Sequence, residues 1–101
     1  MQHVFPKKVF KQNAEIYRVM GNPTRLHILN YLRYKESTVT QLTKILHLPK
    51  ANISQHLAIL RNLRLVQVRK SGLNSYYRIT DARIVEPCRI LKELWERKTF
   101  A

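Results

Sequence analysis

Apolar residues recur three or four positions apart through most of this chain and alternate every second position in one short stretch. That contrast separates a set of amphipathic helices from a β-hairpin. From Val9 to Met20 the repeat is Val9, Ile16 and Met20, with Phe10 and Tyr17 beside them, which predicts a first helix that buries one side. Gly21 ends it, and Asn22-Pro23 signals a new start, because Asn caps a helix and Pro fills a first position where no N–H is needed. The second helix runs from about Pro23 to Tyr34, with Ile28, Leu29 and Leu32 inside and Arg25 and His27 toward solvent or a partner. Thr38-Val-Thr-Gln41 has the form of a capping box, and Leu42, Ile45 and Leu46 follow it as the core stripe of a short third helix.

That helix ends near His47-Leu48-Pro49, where Pro49 forces a change of direction. In the next helix, Lys50 to Arg61, the residues Ile53, Leu57 and Leu60 fall at i, i+4 and i+7 and must pack inward. Two short helices joined by a tight turn, the second with a polar outer face, make a helix-turn-helix. Beyond it, Leu65 to Lys70 and Tyr76 to Thr80 alternate, placing Val66, Val68, Tyr77 and Ile79 on one face and Gln67, Arg69, Tyr76 and Arg78 on the other. Ser71 to Ser75 is the expected turn, with Asn74 at its tip, and the pair forms a basic wing over residues 66–80.

Asp81 can cap a last helical segment, which Pro87 bends or restarts. Ile84, Cys88, Leu91 and Trp95 then share a stripe, with Ile90 and Leu94 beside it, too apolar to finish a small domain exposed. The fold class that results is mainly α with a small β-hairpin (α+β), a winged helix-turn-helix of about five helices plus a two-stranded wing. Residues 1–101 are expected to form one domain, whose first helix (about 9–20) and last helix (about 82–98) share a dimer seam through Phe10, Ile16, Tyr17, Ile84, Cys88, Leu91 and Trp95.

Charge changes the picture from fold to partner. Nineteen Lys and Arg stand against six Asp and Glu, a net charge of +13 that draws phosphate-bearing partners over long range. Ribosomal and membrane-surface proteins can be equally basic, so charge alone does not select DNA. A hydrophobic fraction of 45% argues against a disordered basic tail. No apolar run approaches the roughly 20 residues of a membrane span and the N-terminus lacks a signal-peptide core, so a cytoplasmic location is expected. The single cysteine, Cys88, excludes an intrachain disulfide and a thiolate zinc cluster within one chain. His27 has no second ligand nearby in sequence and reads as solvated surface rather than a metal ligand.

The outer side of the 50–61 helix carries Ala51, Gln55 and Ile59, flanked by Asn52 and Ser54, with Lys50 at the entry end. Amides can bond base edges bidentately, small residues permit close approach, and an apolar side chain can meet a thymine methyl. An ordinary amphipathic surface helix would share part of this pattern, and the wing beside it adds weight to the DNA reading. Arg69, Lys70 and Arg78, with Asn74, can meet phosphates or enter a minor groove. A solvated hairpin with a cationic edge is the bland alternative.

MGNPTRLHILNYL at 20–32, NISQHLAILRNLRLV at 52–66 and YYRITD at 76–81 together resemble the ArsR/SmtB family of bacterial and archaeal winged-helix repressors. The likeness covers nearly the whole chain in the family's order, and Ser54, His56 and Leu57 form its most specific motif. The resemblance implies a homodimer joined by the first and last helices, binding an imperfect palindrome near promoters and releasing it on a signal. It also implies that Ser54, Gln55 and His56 sit at the DNA interface. Helical phasing agrees for Ser54 and Gln55 but sets His56 at the edge of the buried face, which favours a mixed packing and phosphate role.

Departures from the family pattern bear on the signal. Thr38 and Thr40 stand where metal sensors have Cys-x-Cys, and both are poor ligands for soft metals. Of the last-helix metal site only Asp81 survives, with Arg83, Leu94 and Arg97 at the other positions, so no metal response and no cofactor are expected. Redox members use two cysteines. Cys88 therefore reads as a small buried hydrophobe, with a cross-subunit disulfide left open if its twin lies opposite. Pro49 replaces the usual Ser or Thr cap, and Arg64 replaces a helix-ending Gly, where a left-handed backbone would strain it.

The sequence thus describes a sequence-specific double-stranded-DNA-binding repressor. Lys50, Arg61, Arg69, Lys70 and Arg78 are expected on phosphates, and Asn52, Ser54 and Gln55 in the major groove, with Ala51, His56, Ile59 and Asn74 also at the interface. The alternative is a winged-helix module for nonspecific nucleic-acid or protein interaction. Two glycines, six carboxylates and no nucleophile-base spacing leave no site for catalysis.

Overall fold

The computed structural model describes residues 5–100, and in it the apolar stripes converge on one core. The elements follow in the order α1 (Lys7–Met20), α2 (Pro23–Tyr34), α3 (Val39–Leu46), α4 (Lys50–Asn62), β1 (Val66–Ser71), β2 (Asn74–Ile79), a 3₁₀ turn (Ala82–Val85) and α5 (Glu86–Glu96). Ile28, Leu29 and Leu32 of α2, Leu42 of α3, and Ile53, Leu57 and Leu60 of α4 are buried together with Val66 and Val85. This is a winged helix-turn-helix, five α-helices and a two-stranded wing, as the periodicity predicts.

Local chemistry sets the boundaries. The Asn22 side chain accepts from the Arg25 N–H at 3.1 Å, with Pro23 opening α2. Thr38 and Gln41 close both arms of the capping box, at 3.1 and 2.8 Å. Asp81 accepts from the Arg83 N–H at 2.9 Å, and Pro87 restarts the chain as α5 within its first turn. The Arg83 guanidinium and then its N–H hold the Asp81 carboxyl down at about 2. What that depression contributes to stability is therefore complete above the ordinary carboxylate range and is lost as the pH falls through about 2.

The exit of α4 keeps the form that glycine usually supplies. Arg64 has φ of 59°, its N–H bonds to the Arg61 carbonyl at 2.9 Å, and the Leu65 N–H returns to the Leu60 carbonyl at 2.9 Å. A left-handed non-glycine residue costs about 1–2 kcal/mol, partly offset because glycine would loosen the unfolded chain. Arg64→Gly is accordingly expected to stabilise the protein by about 0.5–1 kcal/mol, read as a higher urea midpoint at unchanged slope.

The wing pairs Val66 with Ile79 and Val68 with Tyr77 on its inner face, and Gln67 with Arg78 and Arg69 with Tyr76 on its outer face. Its turn is tighter than the five residues expected. Ser71 pairs with Asn74, leaving Gly72 (φ 63°) and Leu73 at the apex, the arrangement of a two-residue type II′ hairpin. Leu73, not Asn74, therefore stands at the tip. A contact that the periodicity did not show holds the wing in place: Ser37, fully buried, exchanges two backbone hydrogen bonds with Tyr77, at 3.0 and 2.8 Å.

Three expectations for the core need correction. Within α1 only Val19 is buried, while Val9, Ile16 and Met20 are half-buried. Ile45 of α3 is exposed, because the short helix turns only Leu42 fully inward and Leu46 partly. Ile59 of α4, assigned to the outer face, is half-buried and packs against the core from its flank.

Candidate nucleic-acid interface

Residues 37–80, which span α3, α4 and the wing, contain seven Lys and Arg and no Asp or Glu. All six carboxylates lie outside that stretch. A stretch built only of neutral and cationic groups favours a polyanion, although Glu36 at its edge pairs with Arg69.

The recognition face of α4 is raised on the buried trio Ile53, Leu57 and Leu60, which fixes the helix rotation and turns Lys50, Ala51, Asn52, Ser54, Gln55, Ala58 and Arg61 to solvent. Pro49 supplies no side-chain cap and no acid occupies the first turn. The positive end of the helix dipole and the exposed Lys50 thus face outward together, a setting that favours phosphate. Between α4 and the wing lies an open cleft of about 420 Å³ lined by Ser54, Ala58, Arg61, Asn62 and Tyr77 over Leu57. Ala58, Asn62 and Tyr77 were not assigned from the sequence. Asn62 stands seven residues after Gln55, on the same face, so helical phasing alone could have found it.

On the wing, Lys70, Asn74 and Arg78 are exposed. Arg78 donates to the Gln67 side chain at 2.7 and 3.1 Å, a neutral partner that leaves its charge available. Arg69 differs from expectation. It forms a two-pronged pair with Glu36 at 2.7 and 3.3 Å and lies over the Tyr76 ring at 4.9 Å. That pairing lowers the Glu36 carboxyl and ties the wing to the α2–α3 connection, so Arg69 is a strut and not a free cation.

His56 sits half-buried at the rim of the recognition face, as phasing predicts. Burial, and then the charge of Arg25, push its pKa below the ordinary histidine value, which favours a neutral ring at pH 7. Arg25 itself, expected toward solvent or a partner, is half-buried between α1 and α4.

The helices α1 and α5 carry several exposed apolar side chains. Tyr17 is 67% exposed, Trp95 62%, Phe10 54% and Leu91 46%, and α5 buries no residue fully. Ile16, Ile84 and Cys88 are half-buried against the core and line, with Tyr17 and Leu91, a groove of about 370 Å³ between α1 and α5. The Cys88 sulfur accepts from the Asn30 amide at 3.4 Å.

These features coincide with known proteins. Residues 22–68, from the α2 cap into β1, match the family described as bacterial regulatory protein, arsR family. An uncharacterised HTH-type transcriptional regulator of Methanocaldococcus jannaschii is 37% identical over 86 residues, 84% of this chain and 97% of that protein. This chain belongs to the ArsR family.

As an ArsR-family member it is a DNA-binding transcriptional regulator and not an enzyme. The transcriptional repressor PagR of Bacillus anthracis is 33% identical over 85 residues, 83% of this chain and 85% of that protein. The crystal structure of PagR superposes with a TM-score of 0.74 at 32% identity, covering 85% of this chain and 99% of that chain. A homodimeric winged helix-turn-helix DNA-binding domain from Mycobacterium bovis shares the fold, with a TM-score of 0.75 and 23% identity over 95% of this chain and 91% of that chain. In this ArsR regulator no three His, Cys, Asp or Glu gather as a metal site among the described residues, and none of its described helices is long and apolar enough to cross a membrane.

Proposed function

We propose that this ArsR regulator is a cytoplasmic, homodimeric repressor that works without a bound metal, one winged-helix domain per chain. The first and last helices form its dimer interface. Each subunit inserts α4 into the major groove of one half of an imperfect palindrome. Asn52, Ser54 and Gln55 meet base edges, Lys50, Arg61, Lys70 and Arg78 meet phosphates, and the wing lies along the backbone or minor groove. The observation that carries this reading is the carboxylate-free face of α4, held outward by Ile53, Leu57 and Leu60 beside a basic wing. Support for the dimer comes from the uncovered aromatic and aliphatic surface on α1 and α5 and from the homodimeric fold relative.

Base readers and phosphate contacts respond differently to substitution. Gln55→Ala is expected to cost about 1–3 kcal/mol on a selected operator and little on random duplex, relaxing specificity. Lys70→Ala should weaken both duplexes alike and lower the slope of log K against log salt by about 1. Arg69→Ala should act on DNA only through loosening of the wing, since its charge is already matched by Glu36. Fluorescence anisotropy over a salt series checks all three. Equal losses on both duplexes for Gln55→Ala would favour the nonspecific module instead.

A further inference from the structure

Arg25 joins three elements through one guanidinium. Its backbone N–H belongs to the cap of α2, its Nη1 donates to the Val19 carbonyl near the end of α1 at 3.1 Å, and its Nε donates to His56 Nδ1 on α4 at 3.2 Å. Val19 is the one buried residue of α1, with Ile16 and Met20 packed partly against the core, and Met20 also lines the α1–α5 groove. A donated N–H at Nδ1 requires a lone pair there, so a neutral His56 carries its proton on Nε2. Nε2 has no hydrogen-bond partner among the described residues, and the ring is half-exposed beside Asn52 and Gln55 on the recognition helix.

Resting on the DNA-binding reading above, we infer that Arg25 is a positioning residue that locks His56 in the Nε2–H form, so that the ring presents a single fixed donor to a DNA phosphate. The same guanidinium hangs that donor on the carboxyl end of α1, the proposed dimer helix. Neutral imidazole exchanges its proton between the two nitrogens in solution, and only one form can donate toward DNA while the other nitrogen is turned inward. The lowered pKa of His56, caused first by burial and then by Arg25, fits a ring held neutral in that form. Arg25 acts through His56 and needs no contact with DNA itself.

Two measurements test the assignment. Long-range proton–nitrogen NMR on the free protein at pH 7 should show His56 protonated at Nε2, and Arg25→Gln should abolish the preference. That readout involves no DNA, so it fails or succeeds separately from the function proposed above. For the second, glutamine places an amide N–H close to where Nε2–H lies and has no tautomers to lock. Arg25→Ala should therefore weaken operator binding about tenfold when His56 is present, the loss of about one hydrogen bond to phosphate. In the His56→Gln background the same substitution should cost less than about twofold. Thermal unfolding of each variant separates misfolding from a change at the interface. An Nδ1–H form in the free protein, or an equal cost of Arg25→Ala in both backgrounds, would overturn the assignment.

Discussion

Leu91→Arg is expected to turn the protein into a monomer and to weaken operator binding by about 10²–10⁴-fold, because a second linked half-site supplies that much apparent affinity without any new contact. Leu91 is 46% exposed on a helix that buries no residue fully, and it lines the groove with Ile16 and Tyr17 of α1. In a dimer that groove would be closed by the partner's matching surface, since a two-fold interface sets the same patch against itself. An arginine there would carry an unpaired charge into the seam, against which the several uncovered aromatic and aliphatic side chains could not close. Because Leu91 lies outside the core, far-ultraviolet circular dichroism should stay unchanged while sedimentation velocity reports the loss of the dimer. A dimer that persists at micromolar concentration would place the subunit contact elsewhere.

Leu57→Ala is expected to lower the unfolding free energy by about 2–5 kcal/mol, the range for removing a fully buried leucine and leaving a cavity. A domain of this size holds only about 5–15 kcal/mol in total, so the substitution removes a large share of its stability. Leu57 lies beneath the cleft between α4 and the wing and packs with Ile53 and Leu60. Its loss should therefore also loosen the rotation of α4 and weaken specific binding more than nonspecific binding. Urea unfolding followed by fluorescence of Trp95 and circular dichroism gives the stability term. An effect below about 1 kcal/mol would mean that the core beneath the recognition helix repacks freely.

What could be read in the sequence is what neighbouring residues decide between themselves. Asn22-Pro23, the Thr38–Gln41 box, the buried trio of α4 and the alternation of the wing all depend on residues within a few positions of one another, and all appear in the structure as expected. The misses are of two kinds. Some are errors of phase at the border of a stripe. Ile59 flanks the inner face of α4 and packs inward, while Ile45 leaves the core on a helix of eight residues too short to bury a whole side. Others are pairings between distant residues that no periodicity announces: Ser37 with Tyr77, Arg69 with Glu36, and Arg25 with His56 and Val19. Each fixes a joint between elements, and Arg69, expected on phosphate, is engaged with Glu36 in the free protein. The half-exposed state of α1 and α5 was legible as surplus hydrophobicity, whereas Val19 as the one buried residue of α1 depended on how that helix crosses α2.

The central claim is that a dimer reads two half-sites with α4. Selection from random-sequence duplexes with the purified protein, at near-physiological salt, addresses it directly. The account predicts an enriched imperfect palindrome whose half-sites are centred about 10–10.5 base pairs, or a multiple of that, apart. Selection with Gln55→Ala should then lose preference at one symmetric pair of positions while keeping the spacing. Recovery of no motif above background, or of a single unpaired half-site, would contradict it.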